Sequence, residues 1–204
     1  MLTSILIGLA IILVSLSVHE AAHAWTADRL GDPTARLLGR ITLNPVAHID
    51  PIGTLLLPFL AAYSGLPIIG WAKPVPVNVN RLRNGRRDFM LVAAAGPLSN
   101  IAQAVIAALI VRIMLSSGAG GGIAGAILDE YVRTNLLLAF FNLVPVPPLD
   151  GGNVLAGLLP PQAAGLFIAL RQYGFIVLYA LMFTGALSAI VLPPTQFLYR
   201  ILLP

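Results

Sequence analysis

The chain has 204 residues, of which 58% are hydrophobic and 10% charged; its formal net charge is +4 and it contains no cysteine. Soluble globular domains are about 45–50% apolar and about 25% charged, so this composition excludes a soluble domain, a disordered chain and a fibrous repeat, and it predicts a polytopic membrane protein. Without cysteine, disulfides, thiolate zinc ligands and cysteine nucleophiles are excluded as well.

The first apolar run extends from the N-terminus to Trp25, and residues 1–18 carry no charge. It lacks the basic start of a secretory signal peptide and is too long for one, so we expect a retained first span at about residues 2–25. Eight of the twelve basic residues lie between positions 29 and 87. Basic residues favour the cytoplasmic side, which predicts an outside N-terminus and an inside basic region. Nucleic-acid binding, the other interpretation of a basic stretch, is disfavoured because these residues flank apolar spans.

Later apolar runs predict three further spans, at about residues 89–111, 124–146 and 174–192. The stretch 51–72 is interrupted by glycine and proline and has basic residues on both sides, which predicts a re-entrant segment or helical hairpin. Leu37–Leu43 is short and partly β-prone, which predicts an edge strand. We therefore expect one domain, residues 1–204, with an all-α polytopic fold: about four full transmembrane helices, the re-entrant segment or hairpin, and a small membrane-embedded β element.

The first predicted span contains an HExxH motif, His19-Glu20-Ala21-Ala22-His23. Residues four apart share one face of a helix, so both imidazoles can reach one metal ion. A catalytic zinc site uses three protein ligands and a water, and Glu20 is placed to take a proton from that water. Ionisable groups in an apolar span are costly unless they are used or paired. The alternative interpretation is a polar helix end that already emerges into water.

Asp150 is the best candidate for a third ligand. It follows the proline-rich residues 144–148, which cannot be helical throughout, and the two glycines after it allow a sharp turn. A helix that starts near Leu2 places His19 about 26 Å along a hydrocarbon core of about 30 Å, and Asp150 returns to the same side at that depth. The alternative is an ordinary turn-forming Asp-Gly-Gly.

Three motifs together carry a resemblance to a known family. The HExxH motif, the sequence GPLSN at 96–100 and the sequence NLVPVPPLDG at 142–151 resemble those of the site-2 protease family of intramembrane zinc metalloproteases. The chain is similar to a minimal form that lacks the PDZ and CBS domains of some members. The resemblance also places the family's membrane-embedded β-loop near Leu37–Leu43.

The resemblance implies a role for each matching residue. His19, His23 and Asp150 would hold one Zn²⁺ ion, and Glu20 would be the general base. Asn142 would hold the substrate backbone or the developing oxyanion, and Asn100 would face the site from the neighbouring span. For both asparagines, a hydrogen bond between helices is the alternative. For His48, a loop or capping role is favoured over a metal or gating role.

The expected function is therefore intramembrane zinc endopeptidase activity, which hydrolyses peptide bonds in or near transmembrane segments, with Glu20 activating a zinc-bound water. The expected partners are transmembrane protein substrates and the lipid bilayer, and no nucleic acid. We expect an integral protein of a prokaryotic cell membrane with its site near the cytoplasmic side. One alternative is a metal transporter that uses the same histidine and aspartate ligands. Another is an inactive relative that binds membrane helices, against which the intact Glu20 argues.

Overall fold

The computed structural model describes residues 2–64, 70–118 and 122–203, and these ranges form helices joined by loops, with no β-strand. A π-helical turn, Pro51–Leu56, directly precedes the third helix. The α-helices in chain order are α1 (Leu2–Arg29), α2 (Thr34–Leu37), α3 (Leu57–Ser64), α4 (Arg86–Ser116), α5 (Ile123–Asn142), α6 (Asp150–Leu158), α7 (Pro161–Ala169), α8 (Gly174–Phe183) and α9 (Ala186–Leu202).

Three helical stretches among the described residues are long and apolar enough to cross a bilayer: Thr3–Arg29, Arg86–Ser116 and Pro161–Phe183, with 27, 31 and 23 residues. A hydrocarbon core of about 30 Å needs about 20 helical residues, so each stretch is sufficient. The chain is accordingly a membrane protein, with an all-helical fold in its described part.

The boundaries differ from the predicted ones in the C-terminal half. Helix α5 is not among the three candidate spans, since it contains three charged residues, Asp129, Glu130 and Arg133. The stretch Pro161–Phe183 is continuously helical, although residues 161–172 lie outside the predicted span 174–192. That predicted span is instead divided between α8 and α9 by Gly185, whose φ of +77° ends the helical path.

Helix α4 lies at the centre of the bundle and packs against α1, α5 and α6. Where α4 meets α5, its buried residues are small: Ala104, Ala107 and Ala108 contact Val132 and Leu136. Small residues let helix backbones approach closely. Membrane helices depend on such packing contacts because lipid tails are as apolar as their side chains, so there is no hydrophobic drive to associate. The close approach of α4 to its neighbours positions the polar residues described below.

The predicted β element at Leu37–Leu43 is wrong, because the described chain is helical and then irregular there. Helix α2 ends in a Schellman motif, in which the Gly39 N–H donates to Arg36 (3.0 Å) and the Arg40 N–H donates to Ala35 (2.8 Å). Gly39 has φ +67°, a left-handed conformation that a β-strand does not contain. The β-prone side chains of this short stretch therefore follow a helix end.

The predicted re-entrant segment or hairpin at 51–72 lies partly outside the described residues, since positions 65–69 are not described. Its first half is the π-helical turn followed by α3. Its end returns to its beginning, because the Trp71 N–H donates to the Gly53 carbonyl (3.1 Å) and the Thr54 hydroxyl donates to the Trp71 carbonyl (2.9 Å). Entry of this segment into the membrane stays a prediction.

Asp32 ties the end of α1 to an extended segment, Gly70–Asn78. Its carboxylate is fully buried and accepts hydrogen bonds from the Thr34 N–H (3.1 Å), the Thr34 hydroxyl (2.5 Å) and the Asn78 N–H (2.6 Å). Burial by itself raises the pKa of Asp32, but these hydrogen bonds outweigh it and hold the pKa below its usual range. The extended segment is thereby fixed at its C-terminal end.

We expect Asp32→Asn to lower the unfolding free energy by roughly 1.5–3 kcal/mol, since a charged acceptor of three buried hydrogen bonds is lost. Folding lowers this pKa, so the stabilisation is present above the unfolded value of about 3.9 and is lost as pH falls through the folded value. Thermal unfolding in detergent, followed by tryptophan fluorescence across pH, measures the difference between wild type and variant.

Asp28→Asn is the matched control. It removes a solvent-accessible ion pair with Arg36 (2.8 Å), which is worth only about 0–1 kcal/mol. Equal destabilisation by both substitutions, or a wild-type advantage over Asp32→Asn that grows towards acid pH, would contradict the role given to Asp32.

Candidate metal centre

Three ionisable side chains meet where α1, α4 and α6 come together. His19 and His23 lie one turn apart on α1, and their Nε2 atoms are 3.0 Å from each other. The Asp150 Oδ2 atom is 3.1 Å from the His19 Nε2 and 3.3 Å from the His23 Nε2. One ligand atom from each residue lies within 4.8 Å of the others, which satisfies the geometry of a metal-binding cluster. The structure thus brings the three predicted ligands together.

Gly96 allows α4 to pass directly against both imidazoles. A Cβ atom at this position would lie 2.4 Å from the His23 Nε2 and 2.5 Å from the His19 Nε2, closer than non-bonded atoms can come. A side chain at position 96 would therefore occupy the space between the ligands. The glycine of the GPLSN sequence is required here by close approach of the helix backbone.

Asp150 is the first residue of α6, directly after the non-helical residues 143–149. The sharp turn predicted at the following glycines is not observed, since Gly151 and Gly152 belong to the helix. Their small size serves packing: a Cβ at Gly151 would lie 2.2 Å from the Leu143 carbonyl oxygen. The turn at the end of α5 can therefore fold tightly over α6 and hold Asp150 beside α1.

The second nitrogen of each imidazole has a buried partner. The His23 Nδ1 lies 2.7 Å from the backbone carbonyl of Val92, and the His19 Nδ1 lies 2.6 Å from the Asn100 Oδ1. A backbone carbonyl can only accept, so the His23 Nδ1 carries a proton, and the Nε2 is the nitrogen that faces the other two residues. Metal-binding histidines in proteins are held in this way by carbonyl or carboxylate partners.

This donor set fits a zinc ion. The Nε2 atoms of two imidazoles and one carboxylate oxygen face each other at about 3 Å in a buried site. Such a close approach needs a proton or a metal cation shared between the three atoms. Two neutral imidazoles and a carboxylate are ligands that Zn²⁺ accepts, and three protein ligands leave a fourth position open.

Glu20 is held by the backbone of the extended segment. The carboxylate is 8% exposed, and its Oε2 accepts a hydrogen bond from the Val75 N–H (3.0 Å). The Oε1 atom has no hydrogen bond to any residue in the described part of the chain. One carboxylate oxygen is therefore fixed, and the other is available for a proton.

Two buried residues, Arg40 and His48, fix the extended segment on its protein side. The Lys73 N–H donates to the His48 carbonyl (2.9 Å), and the Arg40 Nη2 donates to the Lys73 carbonyl (2.5 Å). On its outer side stand Pro74 and Pro76, which are exposed and have no N–H. At these two positions the segment cannot donate the hydrogen bonds that addition of another strand requires.

His48 is not part of the three-ligand cluster. Its ring is 2% exposed, and its Nε2 lies 2.9 Å from the Thr42 carbonyl. His48 ends the 3₁₀ helix Pro45–His48, and its backbone carbonyl supports Lys73. The sequence predicted neither Val75 nor Arg40. Val75 acts through its backbone N–H, which has no sequence signature, and Arg40 lies near a membrane span, where an arginine is interpreted first as a topology signal.

The two predicted asparagines have different surroundings. Asn100 is fully buried and contacts His19. The Asn142 side-chain amide donates to the Leu138 carbonyl in its own helix (2.9 Å). Contact of either side chain with a substrate or an oxyanion stays a prediction.

The relatives of this chain described below are all named as candidate zinc metalloproteases. No protein-family model and no solved structure matches the chain. The chain is 38% identical to the candidate zinc metalloprotease YwhC of Bacillus subtilis (strain 168) over 188 residues, which are 90% of this chain and 82% of YwhC. It is 31% and 32% identical to the candidate zinc metalloproteases Rip2 of Mycolicibacterium smegmatis and Mycobacterium tuberculosis (strain H37Rv), in each case over 86% of this chain and 66% of the relative.

Gly96→Ala tests the close approach of α4 directly. We expect zinc bound by the purified protein to fall about 10- to 100-fold in affinity, because the new methyl group displaces the imidazoles. Gly8→Ala in α1 is the control, since a Cβ at Gly8 has no atom within 4 Å. Competition with a chelator measures both affinities; unchanged affinity in Gly96→Ala would refute the assigned geometry.

Proposed function

Because this chain belongs to the site-2 protease family of zinc metalloproteases, we propose that it is an intramembrane endopeptidase that cleaves peptide bonds in or near transmembrane segments of membrane proteins. The observation that carries the proposal is the position of the metal ligands. His19 and His23 belong to a helix that is itself long and apolar enough to span a membrane, and Asp150 joins them there.

The depth of the site supports cleavage within the bilayer. His19 follows Thr3 by sixteen residues, so it lies about 24 Å along a core of about 30 Å. The basic residues after α1 favour the cytoplasmic side for this end of the helix. We propose accordingly that the N-terminus is outside and that the site opens towards the cytoplasm.

The chain's own residues account for proton transfer. When bound, zinc would supply a Lewis acid that polarises the scissile carbonyl and lowers the pKa of a water to about 7. Glu20 accepts the proton of the attacking water and delivers it to the leaving amine. The Val75 N–H keeps the carboxylate oriented for both transfers by occupying its Oε2. The site excludes most solvent, since the side-chain exposures of His19, His23 and Asp150 are 4%, 10% and 17%.

Substrate binding requires local unwinding. The backbone groups of a helix are hydrogen-bonded to one another, so a scissile carbonyl has to leave its helix to reach the metal ligands and Glu20. We propose that Asn142 holds the unwound backbone or the developing oxyanion, for which an amide donor at the end of α5, close in sequence to Asp150, is suited. Transmembrane proteins and the surrounding bilayer are then its partners.

Glu20→Gln tests the proposal. We expect this variant to bind zinc as wild type does, because the ligands are intact, and to cleave single-span substrates about 10²- to 10⁴-fold more slowly, because the general base is lost. The experiment measures bound zinc and cleavage for purified protein in proteoliposomes. His23→Ala is the companion variant, which is expected to lose both zinc and cleavage.

Two outcomes would contradict the proposal. Cleavage at the wild-type rate by Glu20→Gln would remove Glu20 from the chemistry. Movement of zinc across the liposome membrane, equal in wild type and Glu20→Gln and without any cleavage, would favour a transporter.

Val75→Pro tests how Glu20 is oriented. Proline removes the N–H that donates to the Oε2 atom, and the neighbouring prolines show that the segment accommodates this residue type. We expect a loss of about tenfold in kcat with unchanged zinc affinity. Val75→Ala keeps the N–H and is expected to cleave as wild type does; a loss of rate in Val75→Ala as large as that in Val75→Pro would assign the effect to side-chain packing.

A further inference from the structure

A chain of buried polar side chains extends from the metal centre into the bundle. The Asn100 Nδ2 donates to the Asn135 Oδ1 (2.9 Å), and the Asn135 Nδ2 donates to the Ser15 Oγ (2.9 Å) and the Tyr131 carbonyl (3.0 Å). Ser15, Asn100 and Asn135 are each 0% exposed. The chain joins α1, α4 and α5, and Asn135 plays no part in the proposed chemistry.

The orientation of the two asparagine amides follows from the acceptor at the far end of the chain, the Tyr131 carbonyl. The Tyr131 carbonyl can only accept, so the amide nitrogen of Asn135 has to face it and the amide oxygen has to face Asn100. That oxygen in turn requires the Asn100 nitrogen, which leaves the Asn100 oxygen for His19. The His19 Nδ1, 2.6 Å from this oxygen, then carries the proton.

This direction determines which nitrogen of His19 is available to a metal. With the proton on Nδ1, the Nε2 lone pair faces Asp150 and His23. If the Asn100 amide were reversed, its N–H₂ group would face Nδ1 and the proton would belong on Nε2, where it blocks the metal. His23 needs no such chain, because the Val92 carbonyl contacts it directly.

We propose that Asn135 is a positioning residue for the zinc centre: through Asn100 it sets the tautomer of His19 and so keeps its Nε2 free as a ligand. The inference rests on zinc ligation in the proposed function and not on peptide cleavage. Outer partners of metal-binding histidines commonly change metal affinity by about 10- to 100-fold. Asn135 reaches the metal only through two further side chains.

The test compares three variants by zinc affinity and by NMR of the zinc-loaded protein with ¹⁵N-labelled histidine. The chain has three histidines, so His23 and His48 serve as internal references. Asn135→Leu removes both hydrogen-bonding functions at similar size. We expect a loss of about 10- to 100-fold in zinc affinity and loss of the slowly exchanging Nδ1 proton of His19, with the His23 signal retained.

Gln103→Leu is the matched control. Gln103 contacts the same region, accepting from the Tyr131 hydroxyl (2.5 Å) and donating to the Ser15 carbonyl (3.4 Å), but it lies outside the path to His19. We expect its zinc affinity and His19 signal to equal those of wild type. If Gln103→Leu and Asn135→Leu weaken zinc equally, the effect is one of general packing and the proposal is overturned.

Asn135→Asp separates the effect of hydrogen-bond direction on His19 from the effect of the substitution on protein stability. Its carboxylate still accepts from Asn100, so the direction towards His19 is kept, although the second oxygen now faces the Tyr131 carbonyl and lowers thermal stability. We expect a less stable protein with the wild-type His19 signal and nearly wild-type zinc affinity. A changed His19 signal in Asn135→Asp, or an unchanged one in Asn135→Leu, would overturn the proposal even if one of the two variants folds poorly.

Discussion

The architecture depends on two imidazoles and one carboxylate that converge inside the helical bundle. The imidazole nitrogens of His19 and His23 and one oxygen of Asp150 lie at about 3 Å from one another. A proton or a metal cation shared between these atoms offsets the cost of burying them, and the fold has to hold them this close for one ion to reach all three. Gly96 does this from α4 by leaving room for both rings, and the tight packing of Gly151 under Leu143 does it from α6. The buried polar contacts behind the rings complete the arrangement.

Much of this site was predictable from the sequence, and the reasons are physical. The spacing of His19 and His23 fixes a common helix face, and scarce charge in an apolar chain draws attention to Asp150. The resemblance of three motifs to one family was confirmed by relatives that cover most of the chain. The β element at Leu37–Leu43 was predicted wrongly, because strand propensity in a short segment yields to a helix end closed by Gly39. Val75 and Asn135 were not predicted, because each depends on a contact with a residue far away in the sequence. Val75 contacts Glu20, 55 positions away, and Asn135 contacts Asn100, 35 positions away.

The same polar groups that serve the site also organise the helices around it. The extended segment is fixed at Asp32 and at Lys73, and between these points its backbone meets Glu20. Pro74 and Pro76 on its exposed side have no N–H, so the segment holds the Glu20 carboxylate while offering few donors to another strand. Small residues along α4 bring the helices close enough for asparagine side chains to reach across them. Packing and chemistry therefore depend on the same close contacts.

X-ray absorption at the zinc edge of the purified protein tests the metal centre most directly. We expect one zinc ion per chain with four light-atom neighbours: two imidazole nitrogens at about 2.0–2.1 Å, and oxygens from Asp150 and a water at about 2.0–2.2 Å. Multiple scattering from two imidazole rings identifies the histidines. A shell of six oxygens without imidazole scattering, or protein purified in zinc that retains none, would contradict the assignment of His19, His23 and Asp150 as the metal ligands.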